Sequence, residues 1–137
     1  MRIRFRPGTR LVSVPVRVWG PRRPPSDLVF VLDTGTDRTI IDTQIALRLG
    51  FCERDAIRRS RVSSPLGHEE GFMVVAPRIR ALGWERGGFE LACPQLTTTT
   101  EVDGLLGADF FDGLVLTINY AAGTVDLTEP PSDAPTG

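Results

Sequence analysis

The most constraining feature of this chain is a polar turn wedged between two apolar strands. Leu28-Val29-Phe30-Val31-Leu32 is apolar at every position and reads as a strand buried on both faces. It stops at Asp33-Thr34-Gly35-Thr36-Asp37, and a second β-branched run, Thr39-Ile40-Ile41, begins almost at once. An acid that emerges from a buried strand into a tight turn is partly shielded from water, an unfavourable placement unless the carboxylate is hydrogen-bonded or used. Asp33 is therefore a functional candidate by position alone. Gly35 lets the backbone turn where a Cβ would clash, and the Thr34 hydroxyl can hydrogen-bond across a closely approaching backbone.

The elements around this turn are mostly strands. Val12, Val14, Val16 and Val18 alternate with other residues and predict a half-buried strand, with Pro15 on the opposite face at an edge or bulge. Gly20 to Ser26 reads as a stiff, proline-rich turn. Thr43 to Leu49, followed by Gly50, predicts a short helix. Ile57 to Val75 reads as a hairpin arm whose polar tip lies near Ser64-Pro65-Leu66-Gly67-His68. Strand segments follow at 79–82, 89–91 and Leu96, joined at Gly83 and at Gly87-Gly88, and Thr97 to Thr100 reads as an extended connection. Leu114 to Tyr120 and Thr124 to Thr128 then predict a closing hairpin, and a second short helix is expected from Gly107. Residues 1–128 thus read as one domain, and the proline-rich 129–137 as a frayed tail.

Composition excludes several partners. The chain has 137 residues, 41% hydrophobic and 24% charged, which suits one packed core. A formal net charge of -1 gives no field that would gather nucleic acid or an anionic membrane. All 16 basic residues are arginine and scattered, a pattern read as coding bias. Cys52 and Cys93 form no CxxC pair and have no histidine cluster nearby, so neither a metal nor a cofactor is expected. The opening residues lack the apolar stretch of a signal peptide and no apolar run is long enough to span a bilayer, so the expected location is the cytoplasm with both thiols reduced.

Two motifs taken together carry a family resemblance. The stretch from Leu28 through Asp33-Thr34-Gly35 to Ile41 resembles the catalytic loop of retropepsin-like (retroviral-type) aspartic proteases, in a bacterial or cellular single-domain form. Gly104-Leu105-Leu106-Gly107-Ala108-Asp109-Phe110-Phe111 is similar to the segment and helix that pack behind that loop. The resemblance spans roughly residues 10 to 128. It implies a mainly β fold, a retropepsin-like acid-protease barrel with a flap hairpin and one or two short helices. It further implies an aspartic endopeptidase that works as a homodimer on peptide or protein substrates, since one chain supplies one Asp-Thr-Gly. In that reading Asp33 is the catalytic acid, Thr34 a buried hydroxyl tying two active-site loops together, and Gly35 a backbone contact to substrate. Asp37 binds substrate main chain, Ser64, Pro65, Leu66 and Gly67 form the flap tip, and Leu105 and Leu106 wall the cleft.

The chain also departs from the retroviral pattern. Ala108 stands where such members often carry an arginine that pairs with the acid matching Asp37, and the chain runs on past Tyr120 into a further hairpin. A competing reading keeps the fold and drops the chemistry, leaving a non-catalytic dimerisation or peptide-binding module. His68, the only histidine, reads as a turn residue rather than part of a triad. Asp103 and Asp109 read as a strand end and a helix start, and Trp19, Trp84 and Phe89 as packing residues.

Overall fold

The structure is a computed structural model and describes residues 1–22, 24–94 and 102–131. Leu96, the Thr97 to Thr100 connection and most of the expected tail lie outside the described residues. In chain order the elements are β1 (Arg2–Arg4), β2 (Ser13–Trp19), β3 (Ser26–Leu32), β4 (Ile40–Ile41), α1 (Thr43–Arg48), β5 (Arg58–Ser64), β6 (Gly67–Ala81), β7 (Trp84–Pro94), β8 (Gly104–Leu106), β9 (Val115–Asn119) and β10 (Thr124–Thr128). Single 3-10 turns sit at Glu53–Asp55 and Ala108–Phe111.

Seven strands form one sheet in the order β2-β3-β8-β4-β7-β6-β5, and β2 also pairs with β6. That extra pairing closes the sheet into a barrel, with β5 outside it as one arm of a hairpin. The fold is mainly β with little helix, as the sequence implied. Val12, Val14, Val16 and Val18 are all buried, and their alternation with exposed neighbours sets the inward face of β2. Burying each such valine is worth about 1.5 to 3 kcal/mol, which fixes the register against a one-residue slip.

Pro15 sits where its missing donor costs nothing. Its cross-strand neighbour Val29 gives its carbonyl to Asp103 N (3.0 Å) and its N–H to Asp103 Oδ2 (2.8 Å), on the side away from β2. The 15–29 pair is therefore one without mutual bonds, and the proline nitrogen faces the side where β6 pairing starts only at Val16.

Three expectations need correction. Val29 is 47% exposed, so β3 is open to solvent at that point rather than buried on both faces. Gly87 and Gly88 lie inside β7 opposite Arg78 and the unpaired Pro77, and do not join two strands. The expected helix at Gly107 is a single 3-10 turn, with Phe110 and Phe111 packed edge-on in the core. The turn at Leu82-Gly83 is as expected, both residues having positive φ (53° and 77°), the geometry a tight two-residue hairpin needs.

The helix after Asp42 forms because Asp42 caps it, its Oδ1 accepting from Gln44 N at 2.9 Å and Ile45 N at 3.2 Å. Gly50, with φ of 94°, ends it. The closing hairpin β9–β10 pairs in turn with β1, giving a separate three-stranded sheet in the order β1-β10-β9.

Candidate active site

The catalytic-loop candidate lies at the end of β3, and β8 explains why it is held there. This short strand runs parallel to β3 on one side and antiparallel to β4 on the other, so it fills the gap between the strands that flank the turn. Only glycine fits at its two ends. A Cβ on Gly104 would come within 2.3 Å of Ile40 O and 2.8 Å of the Phe30 ring, and one on Gly107 within 2.5 Å of Arg38 O and 2.9 Å of Thr36 O. The Gly-Leu-Leu-Gly spacing is thus the footprint of a strand pressed between two others. Asp33 N donates to Leu106 O (2.9 Å) and Ala108 N to Thr36 O (2.8 Å), tying the loop to that strand at both ends.

Thr39 buttresses the loop from behind. Its fully buried hydroxyl accepts from Gly107 N (3.1 Å) and donates to Asp109 Oδ1 (2.7 Å). Burial raises the pKa of Asp109, against the opposing pull of its bonds from Thr39. A carboxyl whose folded pKa is raised lends stability that is full below its unfolded pKa and lost as pH rises through the folded value. Asp109→Asn retains an oxygen for Thr39 and removes the titration. Its melting temperature is therefore expected to improve relative to wild type as pH rises from acidic to neutral, and a parallel pair of pH profiles would contradict this.

Asp33 is half-buried, and both carboxylate oxygens are held. Oδ1 accepts from Gly35 N at 3.1 Å, and Oδ2 from the Thr36 hydroxyl at 2.8 Å. The carboxylate opens onto a cleft of about 380 Å³, whose walls include Ile40, Val62 and Leu105 and whose roof is Ser64, Leu66, Gly67 and His68. Larger hollows of about 540 Å³ beside Arg17 and Asp27, and about 460 Å³ beside Arg58 and Phe72, contain no part of this loop. The smaller cleft is the better candidate because it joins the held carboxylate to an apolar wall and a hairpin roof.

The hairpin β5–β6 bends over the loop as a flap. Its tip, Pro65-Leu66, packs Pro65 Cδ within 3.7 Å of where a Gly35 Cβ would stand, and Leu66 is 99% exposed. The structure thus brings Asp33, Ser64, Leu66, Gly67 and Leu105 to one cleft and Gly35 against Pro65. Leu106 is placed differently: it is fully buried in the core, because adjacent residues of β8 point to opposite faces. Asp37 is engaged within the chain, its Oδ1 accepting from Ser63 N (2.9 Å) and its N–H donating to Ser63 O (3.2 Å). Thr34, whose hydroxyl was expected to be buried, is an exposed residue in the single chain.

Over residues 14–110 the sequence matches the aspartyl protease family. The chain belongs to that family. No curated protein matches it in sequence. In structure this aspartyl protease is similar to a retropepsin-like aspartic protease from Rickettsia conorii, with a TM-score of 0.61 over 96% of this chain and 91% of that one, at 13% identity. That likeness establishes the retropepsin-like fold.

Thr36 is the site residue that sequence reading missed. It is 2% exposed, and its hydroxyl is the one that reaches Asp33, a role spacing alone pointed no nearer to Thr36 than to Thr34. A lost hydrogen bond to a charged group is worth about 1.5 to 3 kcal/mol, so Thr36→Val is expected to lower kcat roughly 10- to 100-fold with a folded barrel. Thr36→Ser, which keeps the hydroxyl, is expected to recover most of the loss. Equal activity in the valine and serine variants would contradict this role.

Proposed function

We propose that this protein is an aspartic endopeptidase that acts as a homodimer, with Asp33 of each chain forming the catalytic pair. The observation that carries the reading is the Asp33 carboxylate, fixed through both oxygens by Gly35 N and the Thr36 hydroxyl at the mouth of a cleft roofed by a hairpin. The Gly35 bond alone is that of an ordinary Asx turn; what favours chemistry is that the held acid also faces a cleft roofed by the flap hairpin.

One carboxylate is half of the chemistry. Near a two-fold axis a residue meets its own copy, so a second chain supplies the missing acid without a second motif. Two carboxylates about 3 Å apart share one proton. The ionised member then takes a proton from the attacking water while the protonated member donates to the scissile carbonyl. Exposed Thr34 would bridge to the other loop, and the Gly35 backbone would contact an extended peptide. Ser64, Pro65, Leu66 and Gly67 would close over the peptide, and Leu105 would contact its side chains.

Asp37 would serve substrate main chain only after its bonds to Ser63 are exchanged for bonds to the peptide, so substrate entry would lift the flap base from the loop. An extended substrate taking up main-chain bonds between two strands matches the edge-rich form of the cleft.

The test is specific activity on a peptide library as the protein is diluted. Specific activity is expected to fall as protomers separate, in step with the dimer fraction measured by sedimentation. Constant specific activity down to a verified monomer would contradict the proposal, and cleavage of no peptide at any concentration would favour a binding module.

A further inference from the structure

The two bonds between Asp37 and Ser63 have the form of bonds to a peptide. In the hairpin β5–β6 the closing pair is Ser64 with Gly67, so Ser63 faces His68 in a pair without mutual main-chain bonds, and the Ser63 N–H and C=O point out from the free edge of β5. Both groups go to one residue of the catalytic loop. Ser63 N donates to Asp37 Oδ1 (2.9 Å), and Ser63 O accepts from Asp37 N (3.2 Å). A residue of an extended peptide offers the same two groups on one edge, and Asp37 is the residue assigned above to receive them.

Two residues further on, the match repeats. Pro65 Cδ lies 3.7 Å from where a Gly35 Cβ would stand, against the backbone assigned to substrate contact. Segment 63–65 therefore runs antiparallel to loop segment 35–37, Ser63 at Asp37 and Pro65 at Gly35, while Ser64 between them lines the cleft with Asp33. Alternate residues of an extended strand share an edge, so this spacing is that of a strand laid along the loop. A flap anchored for support alone could rest on any part of the loop. Here it takes the donor, the acceptor and the glycine surface that the chemistry needs for substrate.

We propose that the flap is an intramolecular pseudosubstrate: in the resting enzyme residues 63–65 occupy the main-chain positions of a peptide at Asp37 and Gly35, and every substrate must displace them. The inference rests on the protease reading above and adds that the enzyme is held below its full affinity by its own flap. Because the competitor is part of the same chain, its effective concentration is high and two hydrogen bonds suffice. Apparent affinity for substrate falls in proportion to the fraction of sites whose flap is released. The bonds given up by Ser63 are remade with the peptide, so the effect lies in KM and the chemical step is untouched.

Removing the Ser63 N–H tests it. The β5–β6 ladder does not use that donor, so an edge strand tolerates proline there. Ser63→Pro is expected to lower the KM for peptide on the order of tenfold with kcat within about twofold of wild type, at a concentration where sedimentation shows both proteins dimeric. Arg61→Pro is the matched control. Its N–H also leaves the free edge but makes no bond to Asp37, so its KM should stay within about twofold of wild type. Should Ser63→Pro not fold, replacing the Val62–Ser63 amide by an ester in a chain joined from synthetic segments deletes the same N–H without the ring, and carries the same expectation. An unchanged or raised KM in a folded chain lacking the Ser63 N–H, or equal falls in Ser63→Pro and Arg61→Pro, would overturn the pseudosubstrate while leaving the protease reading intact. A wild type that cleaves no peptide would overturn both.

Discussion

Asp33→Asn is expected to lower peptide cleavage by at least about 10³-fold while leaving the barrel folded, the scale on which removal of an essential acid or base is felt. The amide matches the carboxylate in shape and keeps an oxygen for Gly35 N or for the Thr36 hydroxyl, so the loop loses little of its support. It cannot take a proton from water. The check pairs peptide turnover with circular dichroism and a melting curve. Loss of turnover with an unchanged melting temperature within a degree or two is the expected result, and turnover within tenfold of wild type would remove Asp33 from the chemistry.

The second large effect is on the frame of the site. Gly107→Ala would put a methyl group 2.5 Å from Arg38 O and 2.6 Å from the same carbonyl carbon. Both are backbone atoms of the loop that carries Asp33, so relief requires moving the loop. Overpacking of this kind costs about 1 to 3 kcal/mol or more, or roughly 5 to 10 °C in melting temperature for a domain of this size. Activity should fall further than stability, since Asp33 is bonded to the residue before this glycine through Leu106 O. Gly113→Ala is the contrast. Gly113 has a positive φ of 76° but no atom within 4 Å of its would-be Cβ, so only backbone strain is felt there, about 1 kcal/mol. Equal losses in the two variants would show that crowding against the loop is not what requires glycine at position 107.

Much of this frame could be read from the sequence because it is written in local patterns. The alternation of Val12 to Val18 gives the inward face of β2, and Asp42 before a short apolar-periodic stretch gives the capped helix. The Gly-Leu-Leu-Gly segment, together with Asp33-Thr34-Gly35, gave the fold, and the close approaches at Gly104 and Gly107 supply the physical reason for that spacing. What escaped depends on long-range geometry. Three polar side chains follow Asp33 within four positions, and only the path of the turn decides that Thr36 bends back to the carboxylate while Asp37 reaches Ser63. The inward position of Leu106 is different, because strand alternation already forbids Leu105 and Leu106 from sharing one wall. The Gly87-Gly88 pair misled because glycine commonly marks a turn; here Gly88, at φ of 56°, lies opposite the unpaired Pro77 inside a long hairpin.

The claim on which the rest depends is that one active site takes one Asp33 from each of two chains. Mixing tests it directly. Wild-type protein and the Asp33→Asn variant are exchanged to equilibrium at a fixed total concentration that keeps every chain dimeric, and peptide turnover is measured per wild-type chain. If a site needs both carboxylates, mixed dimers are inactive and turnover per wild-type chain falls in proportion to the wild-type fraction, to about one half in an equal mixture. Turnover per wild-type chain that stays constant across the series, with exchange of chains verified, would mean that each protomer works alone and would contradict the account.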